Sequence, residues 1–514
     1  MLRLCHMDIV RYRTQLDDVI PGALAAYESL RATNGMGIYT SNGSFYNHTF
    51  FGRDASMSAK FATDFDHLLA RETILALAAL QGTNSDAVTQ EERGRIHHEY
   101  RDFGTWKASW YETIALKFFA RNWGLADKTL LTYYAGDTTA LYVRLVHKYW
   151  RHIDKSVLDT TVTNADEQTY PVRESVALAA DWIMAQINQT DHFVTARPND
   201  WALPYQTFAD SSTAFVRQNG RLANYRRGIT YTETQALAID ALEAATHLLE
   251  DHPHRHEWQV AAHSARSALI KDFWNEQENF FGSAYDKDGL VDMPTISAGW
   301  TLNTSFWDEL SERVRSERIS AIVTRLFSDD FLTPFGLRSR SLTAPAPLKG
   351  LVEYHGRLTV WPMFTFMVIE GLRRQRLHTL AEELENRLIN GINASDRFDE
   401  FFVIDTDGNW LHPADDEPAK RRMDAQMAPE QNIAFTVVPA VTLAWRSLNP
   451  GRALPVQNEW QKQLEIVIMT KLTPTARLTP LAAKAAVDSV PTEFRRVRGN
   501  IRTAWFFWRQ RRRM

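Results

Sequence analysis

Among 514 residues there is one cysteine, Cys5. An internal disulfide is therefore excluded, and a chain so poor in thiols suits a reducing compartment. Long apolar runs are missing as well. The stretch IAFTVVPAVTLAW at 433–445 is too short to cross a bilayer. The opening residues, MLRLCHMDIVRYRTQ, hold no sustained apolar segment of the kind a secretory signal needs. Net charge is small, formally −4, which gives no general attraction to nucleic acid or membrane. These absences predict a soluble, cytoplasmic protein with no nucleic-acid partner. Long alternating strand patterns are also hard to find.

What is present is helical periodicity. Apolar residues recur at three- and four-residue spacing in 15–32, 67–82, 106–124, 137–153, 173–189, 231–250, 257–275, 311–327, 361–375, 378–393 and 432–448. Short hairpins are expected only within 279–291 and 401–411. Long polar connections fall at 33–54, 192–229, 278–306, 329–360 and 394–431, and loops of that length in a compact domain are usually functional. Alternating short and long connections predict helical hairpins closed into a ring over 1–450. The remainder, 451–514, reads as a C-terminal extension. Its basic aromatic end, 495–513, could touch an anionic membrane surface, although a solvated or oligomer-covering helix explains it better.

Sixteen tryptophans and sixteen tyrosines suit stacking on sugar rings, and one segment concentrates such chemistry. In FYNHTFFGRDASM, 45–57, aromatics precede Arg53 and Asp54 at a helix entrance. A guanidinium and a carboxylate side by side can bind hydroxyls bidentately. The residues alone fit equally well an Asp54 that caps a helix opening at Ala55.

Nine segments, in order, resemble the glucosidase part of glycogen-debranching enzymes, the amylo-α-1,6-glucosidase family of six-hairpin, glucoamylase-like glycosidases. They are FFGRDASM (50–57), ALAALQGT (76–83), GRIHHEYR (94–101), YYAGDTTALYVRLVHKY (133–149), FADSS (208–212), TETQALAIDAL (232–242), TPFGLRSRS (333–341), YHGRLTVWP (354–362) and PEQNIAFTVV (429–438). The chain departs from that family at Phe208-Ala209, where relatives have Trp-Lys. The resemblance implies an all-α fold, an (α/α)6 barrel with long loops on one face. It also implies an inverting glycoside hydrolase of an α-glucan or short α-glucoside.

Such hydrolysis needs one protonated and one ionised carboxyl on opposite sides of the anomeric carbon. Asp210 is the expected acid. Trp201, Tyr205, Phe208 and Phe215 surround it in sequence with apolar rings that favour a protonated carboxyl, and the resemblance puts the general acid on this Asp-Ser dipeptide. Glu400 is the expected base, since relatives carry theirs in a late, aromatic-flanked Glu segment before an Asp/Gly turn. Asp399, Glu430 and Glu353 are its rivals. By resemblance Arg53 and Asp54 hold the terminal sugar, a carboxylate beside a guanidinium staying ionised. Trp201, Gln235, His355 and Trp361 complete the expected substrate site.

Thr230 and Glu233 read instead as a capping box, and Asp137 as an N-cap with a possible substrate contact. The neighbours His97 and His98 do not share a helical face, so no metal is expected, nor any cofactor. Two other functions fit a similar fold: a disaccharide phosphorylase, or a non-catalytic carbohydrate-binding protein.

Overall fold

The computed structural model describes residues 2–472 other than 43–45, 47, 104–116, 118–122, 127–128, 189, 195–202, 204, 212, 346–352, 396, 412–428 and 450–454. Twelve of its helices pair off along the chain into six hairpins, an outer helix followed by an inner one. The pairs are α1 (Leu2–Leu30) with α2 (Gly52–Ala62), α3 (His67–Ala79) with α4 (Thr138–His152), and α5 (Val172–Ile187) with α6 (Thr232–Leu248). They continue with α7 (Arg255–Asp272) and the short α8 (Ser297–Trp300), α9 (Glu312–Leu326) and α10 (Pro362–Arg374), α11 (His378–Ser395) and α12 (Ala434–Leu448). Contacts of α12 with both α1 and α2 close the ring. This is the (α/α)6 barrel.

Burial separates the two layers. Outer α9, ERVRSERISAIVTRL, buries only Ile319, Ile322, Val323 and Leu326, a single i, i+3, i+4, i+7 stripe. Inner α2, GRDASMSAKFA, buries every residue except Lys60. Small residues let such a helix be covered on all sides. Gly52 is the tightest case: a Cβ there would stand 2.3 Å from the His97 carbonyl oxygen, so only glycine lets α2 start against that strand.

Among the described residues the strands are short and lie in the connections between helices, the largest sheets having three strands, as in 50–51 with 99–102 and 129–132. Of the two expected hairpin regions, 279–291 contains the pair 284–286 with 289–291, whereas in 401–411 the strand 402–403 pairs with 359–360 and the segment itself closes only through the isolated bridge Ile404–Trp410. Of the expected helix at 106–124 only residues 117, 123 and 124 are described, and the basic tail at 495–513 lies outside the described residues. Within the extension, α13 (Glu459–Lys471) packs on α9 and α11, and a capping box at Asn458 and Gln461 starts it. No described helix is long and apolar enough to cross a membrane.

The inner helices point one way, so the ring has two unlike rims. Lys60, Arg151, His247, Arg373, Arg374 and Arg446 occupy the last turns at one rim, where helix dipoles favour cations. Ion pairs of Arg446 with Glu370, Arg373 with Glu385 and Arg374 with Asp308 (each 2.6 Å) neutralise several of these charges. The other rim collects carboxyls.

Candidate active site

Arg53 and Asp54 open α2, Asp137 precedes α4, Glu233 sits in the first turn of α6, Trp361 precedes α10 and Glu430 precedes α12. Five inner-helix N-termini thus converge, each supplying partial positive charge and unsatisfied N–H groups that offset the cost of burying carboxylates. The loop carrying Asp210 and the segment carrying Glu400 cover this rim.

Arg53 does not pair primarily with its neighbour. Its Nε donates to Asp137 Oδ2 at 2.8 Å, with both side chains buried, and its guanidinium lies 5.1 Å from the Phe208 ring centroid. Asp137 occupies the N-cap position of α4 but makes no side-chain capping bond. Asp54 lies inside the first turn of a helix that begins at Gly52, so it is not the cap expected for a helix opening at Ala55. Nor is it simply ionised: burial, opposed by Arg53, pushes its pKa up to about 7.

The acid loop is held from several sides. Gln206 accepts from Arg95 Nη2 (2.8 Å), donates to Gln90 Oε1 (2.6 Å), and its backbone N–H donates to the Tyr231 hydroxyl (2.9 Å). A small separate core of Tyr205, Ala214, Phe215, Ala223, Ile229, Tyr231, Ala284 and Val291 supports it. Burial raises the Asp210 pKa to about 6 against the pull of Arg53. That is the direction a proton donor needs.

Glu400 is buried, and the Tyr354 hydroxyl donates to its Oε1 at 2.6 Å. Its position is fixed by pairing with the entrance to α12: the Glu400 N–H donates to the Glu430 carbonyl (2.9 Å), and the Glu430 N–H to Glu400 Oε2 (3.3 Å). Phe398, two residues earlier, takes a left-handed φ of 51°, a strained conformation for a bulky residue that turns the chain into this register. Burial pushes the Glu400 pKa up to about 8, with the Tyr354 hydroxyl opposing and Glu430 and Asp54 adding to the rise. Tyr46 and Tyr354 lie within the fields of both Glu400 and Asp210, which, after burial, push both phenols up. The two carboxyls therefore share one site.

The rivals for the base are placed differently. Glu353 is ion-paired with Arg340, both buried. Glu430 accepts from Ser41 Oγ at 3.0 Å. Asp399 is pushed up to about 7 by burial, with Arg397 as its opposing charge, and its backbone carbonyl accepts from Thr436 Oγ1 (2.7 Å).

His355 hydrogen-bonds Ser211 Oγ through Nδ1 (2.9 Å) and stacks on Trp361 at 4.8 Å; burial keeps it neutral. Trp361 is buried, with Nε1 donating to the Tyr354 carbonyl (3.0 Å). Trp201 lies outside the described residues.

Two expectations need correction. Gln235 does not face substrate: its amide donates to the Asp191 and Ala265 carbonyls (both 2.9 Å), and its oxygen accepts from the Phe193 N–H (2.6 Å). Thr230 and Glu233 form no capping box, because α6 starts at Thr232 after Tyr231, and Thr230 belongs to a strand paired with Tyr285. Glu233 is instead buried and accepts from Thr207 Oγ1 at 2.7 Å, burial raising its pKa to about 7. His97 and His98 are buried, and among the described residues no group of three or more His, Cys, Asp or Glu side chains could hold a metal.

The family model of the mannosylglycerate hydrolase MGH1-like glycoside hydrolase domain matches residues 65–416, more than half of the chain. Among solved structures, the GH63 mannosylglycerate hydrolase of Thermus thermophilus in complex with glucose is 14% identical at a TM-score of 0.54, over 82% of this chain and 99% of that one. An uncharacterised conserved protein of the same organism is 13% identical, with a TM-score of 0.52 over 82% and 98% of the two chains. A glycosidase point variant gives 11% identity and 0.52, over 84% and 96%. At these identities the likeness is one of fold. No curated protein sequence matches the chain.

Proposed function

Because the chain belongs to the MGH1-like glycoside hydrolase family, we propose that it hydrolyses a short α-glucoside with inversion of configuration. The observation that carries this reading is the gathering of buried carboxyls at one rim, where Tyr354 holds Glu400 and the Asp210 loop lies over Arg53 through Phe208. Asp210, protonated, gives its proton to the glycosidic oxygen as the bond from the anomeric carbon to that oxygen breaks. Glu400, ionised, takes a proton from a water whose oxygen attacks the anomeric carbon from the opposite face. Arg53 and Asp54 hold hydroxyls of the terminal sugar, the one whose anomeric carbon is attacked, and His355 lines the same space. The cycle ends with Asp210 ionised and Glu400 protonated, and one proton passes back through solvent.

The phosphorylase alternative wants cations free to hold phosphate. Among the described residues the buried guanidinia of the site are already engaged, Arg53 with Asp137 and Arg340 with Glu353. This favours a neutral substrate and water as the acceptor. A glucan with α-1,6 branches and a mannosylglycerate-like glycoside are both extensions of the same chemistry, and a substrate panel separates them.

The test is proton NMR of product formed from α-glucosides and α-mannosides before mutarotation. A β-configured sugar, formed without added phosphate and lost in Glu400→Gln, is expected. First-formed α-anomer, or strict dependence on phosphate, would overturn the reading.

A further inference from the structure

Behind the acid loop lies a recess lined by Phe208, Ala209, Phe215, Trp300 and Phe364, among others, with Glu233, Ser297 and His355 as polar groups in its wall. Two buried polar atoms on this wall have no protein partner, Glu233 Oε2 and His355 Nε2. Ser297, hydrogen-bonded to Thr295 at 2.6 Å, comes near Glu233 without reaching hydrogen-bond geometry. The other end of each group is occupied, and both ends lead to the same place. Glu233 Oε1 accepts from Thr207, three residues before Asp210. His355 Nδ1 bonds Ser211, one residue after it.

The polarity is complementary. When the Ser211 hydroxyl donates to Nδ1, a neutral His355 carries its proton on Nε2 and is a donor. Glu233 Oε2 is an acceptor. A single hydroxyl or water molecule between them accepts from one and donates to the other, leaving neither buried atom unpaired.

We propose that Glu233 is a positioning residue for the general acid: with His355, across this recess, it clamps Asp210 from both flanks through Thr207 and Ser211. The proposal rests on Asp210 being the acid. The clamp fixes the direction in which the carboxyl delivers its proton, and it touches neither the attacking water nor Glu400.

That division of labour gives a specific assay. Fluoride leaves an anomeric carbon with little need of a proton, whereas an alkoxide needs one. Variants are therefore compared on α-D-glucosyl and α-D-mannosyl fluoride and on the corresponding methyl α-glycosides. Misplacing an acid by about 1 Å costs on the order of 10²-fold. Glu233→Ala and Thr207→Val should lower kcat on the methyl glycosides by roughly 10–100-fold while leaving KM and fluoride turnover within about threefold. Glu233→Gln, whose amide oxygen still accepts from Thr207, should recover most of the loss, and it carries the test if the alanine variant fails to fold. Asp210→Asn is the control. If it shows the same selectivity but the Glu233 and Thr207 variants lose fluoride and glycoside turnover equally, or lose neither, the clamp is wrong and the acid assignment stands. If Asp210→Asn itself shows no selectivity, the acid assignment falls and the clamp with it.

Discussion

Replacing Tyr354 by Phe removes one hydroxyl and keeps the ring that packs on Trp361, His355 and Phe401. What is lost is the 2.6 Å hydrogen bond to Glu400 Oε1. That bond stabilises the ionised carboxylate, so its loss must raise the Glu400 pKa above about 8. A hydrogen bond to a charged group contributes about 1.5–3 kcal/mol, and 1.36 kcal/mol corresponds to one pKa unit, so the shift is roughly one to two units.

The proposed hydrolysis requires Asp210 protonated and Glu400 ionised together. With pKa values of about 6 and about 8, that form is the minority species: at pH 7 roughly one molecule in eleven meets each condition, and roughly one in a hundred meets both. The profile of kcat/KM against pH is then a bell, failing below about 6 where no base remains and above about 8 where no acid remains. In Tyr354→Phe the alkaline limb should move up to about 9–10, and kcat/KM at pH 7 should fall about 10–100-fold in proportion. Steady-state kinetics from pH 4.5 to about 10 reads both limbs in one series. Movement of the acid limb instead would show that Glu400 is the group titrating at lower pH. A profile in which neither limb moves would refute the assignment of Glu400 and its hydrogen bond to catalysis.

The other expectations concern neighbouring groups. Asp54→Asn removes a charge that raises the Glu400 pKa, so the alkaline limb should shift down while kcat/KM falls through lost sugar contacts; an upward shift would contradict the placement of Asp54. Asp137→Ala leaves the buried Arg53 guanidinium without its partner, a loss of about 3–5 kcal/mol that should appear as a clear drop in apparent Tm. Gln235→Leu strands the buried Phe193 N–H and removes the bonds to the Asp191 and Ala265 carbonyls, a loss of about 1–3 kcal/mol or more, so stability should fall while KM in the surviving folded enzyme stays near wild type. A raised KM at unchanged Tm would restore Gln235 to the substrate site.

The helices were legible because their apolar spacing is strong, and the observed limits lie close to the expected ones, His67–Ala79 against 67–82 and Thr138–His152 against 137–153. The ring followed from counting hairpins, since a one-sided helix such as α9 needs a layer to lie on and an all-round buried one such as α2 needs to be covered. The errors fall where tertiary contact overrides a local pattern. Thr-x-x-Glu at a helix start reads as a capping box in any exposed helix, but here strand pairing takes Thr230 and the acid loop takes Glu233. Gln235 misled by proximity: two residues along an α-helix is a turn of about 200°, so a Glu233 that faces the site sends Gln235 to the back. Arg53 finds its partner 84 residues away, and no local signal records that pairing.

The same geometry explains why the chemistry gathers where it does. An inner helix covered on all sides leaves its own backbone polar groups unpaired only at its ends. At the C-terminal ends the backbone leaves unpaired carbonyls, which suit the arginines and lysines found there. At the N-terminal ends it leaves unpaired N–H groups; Asp54, Asp137 and Glu233 lie at three of them, and Glu430 stands four residues ahead of a fourth. Burial makes each carboxyl costly to ionise, while the helix ends and Arg53 offset part of that cost. Between those opposing effects Asp54, Asp210, Glu233 and Glu400 come to rest at pKa values of about 7, 6, 7 and 8. Carboxyls held near neutrality can give or take a proton under the conditions of the cell, which is what acid–base cleavage of a glycosidic bond demands. Only two of them need to touch the reacting atoms. The others set the field in which those two work.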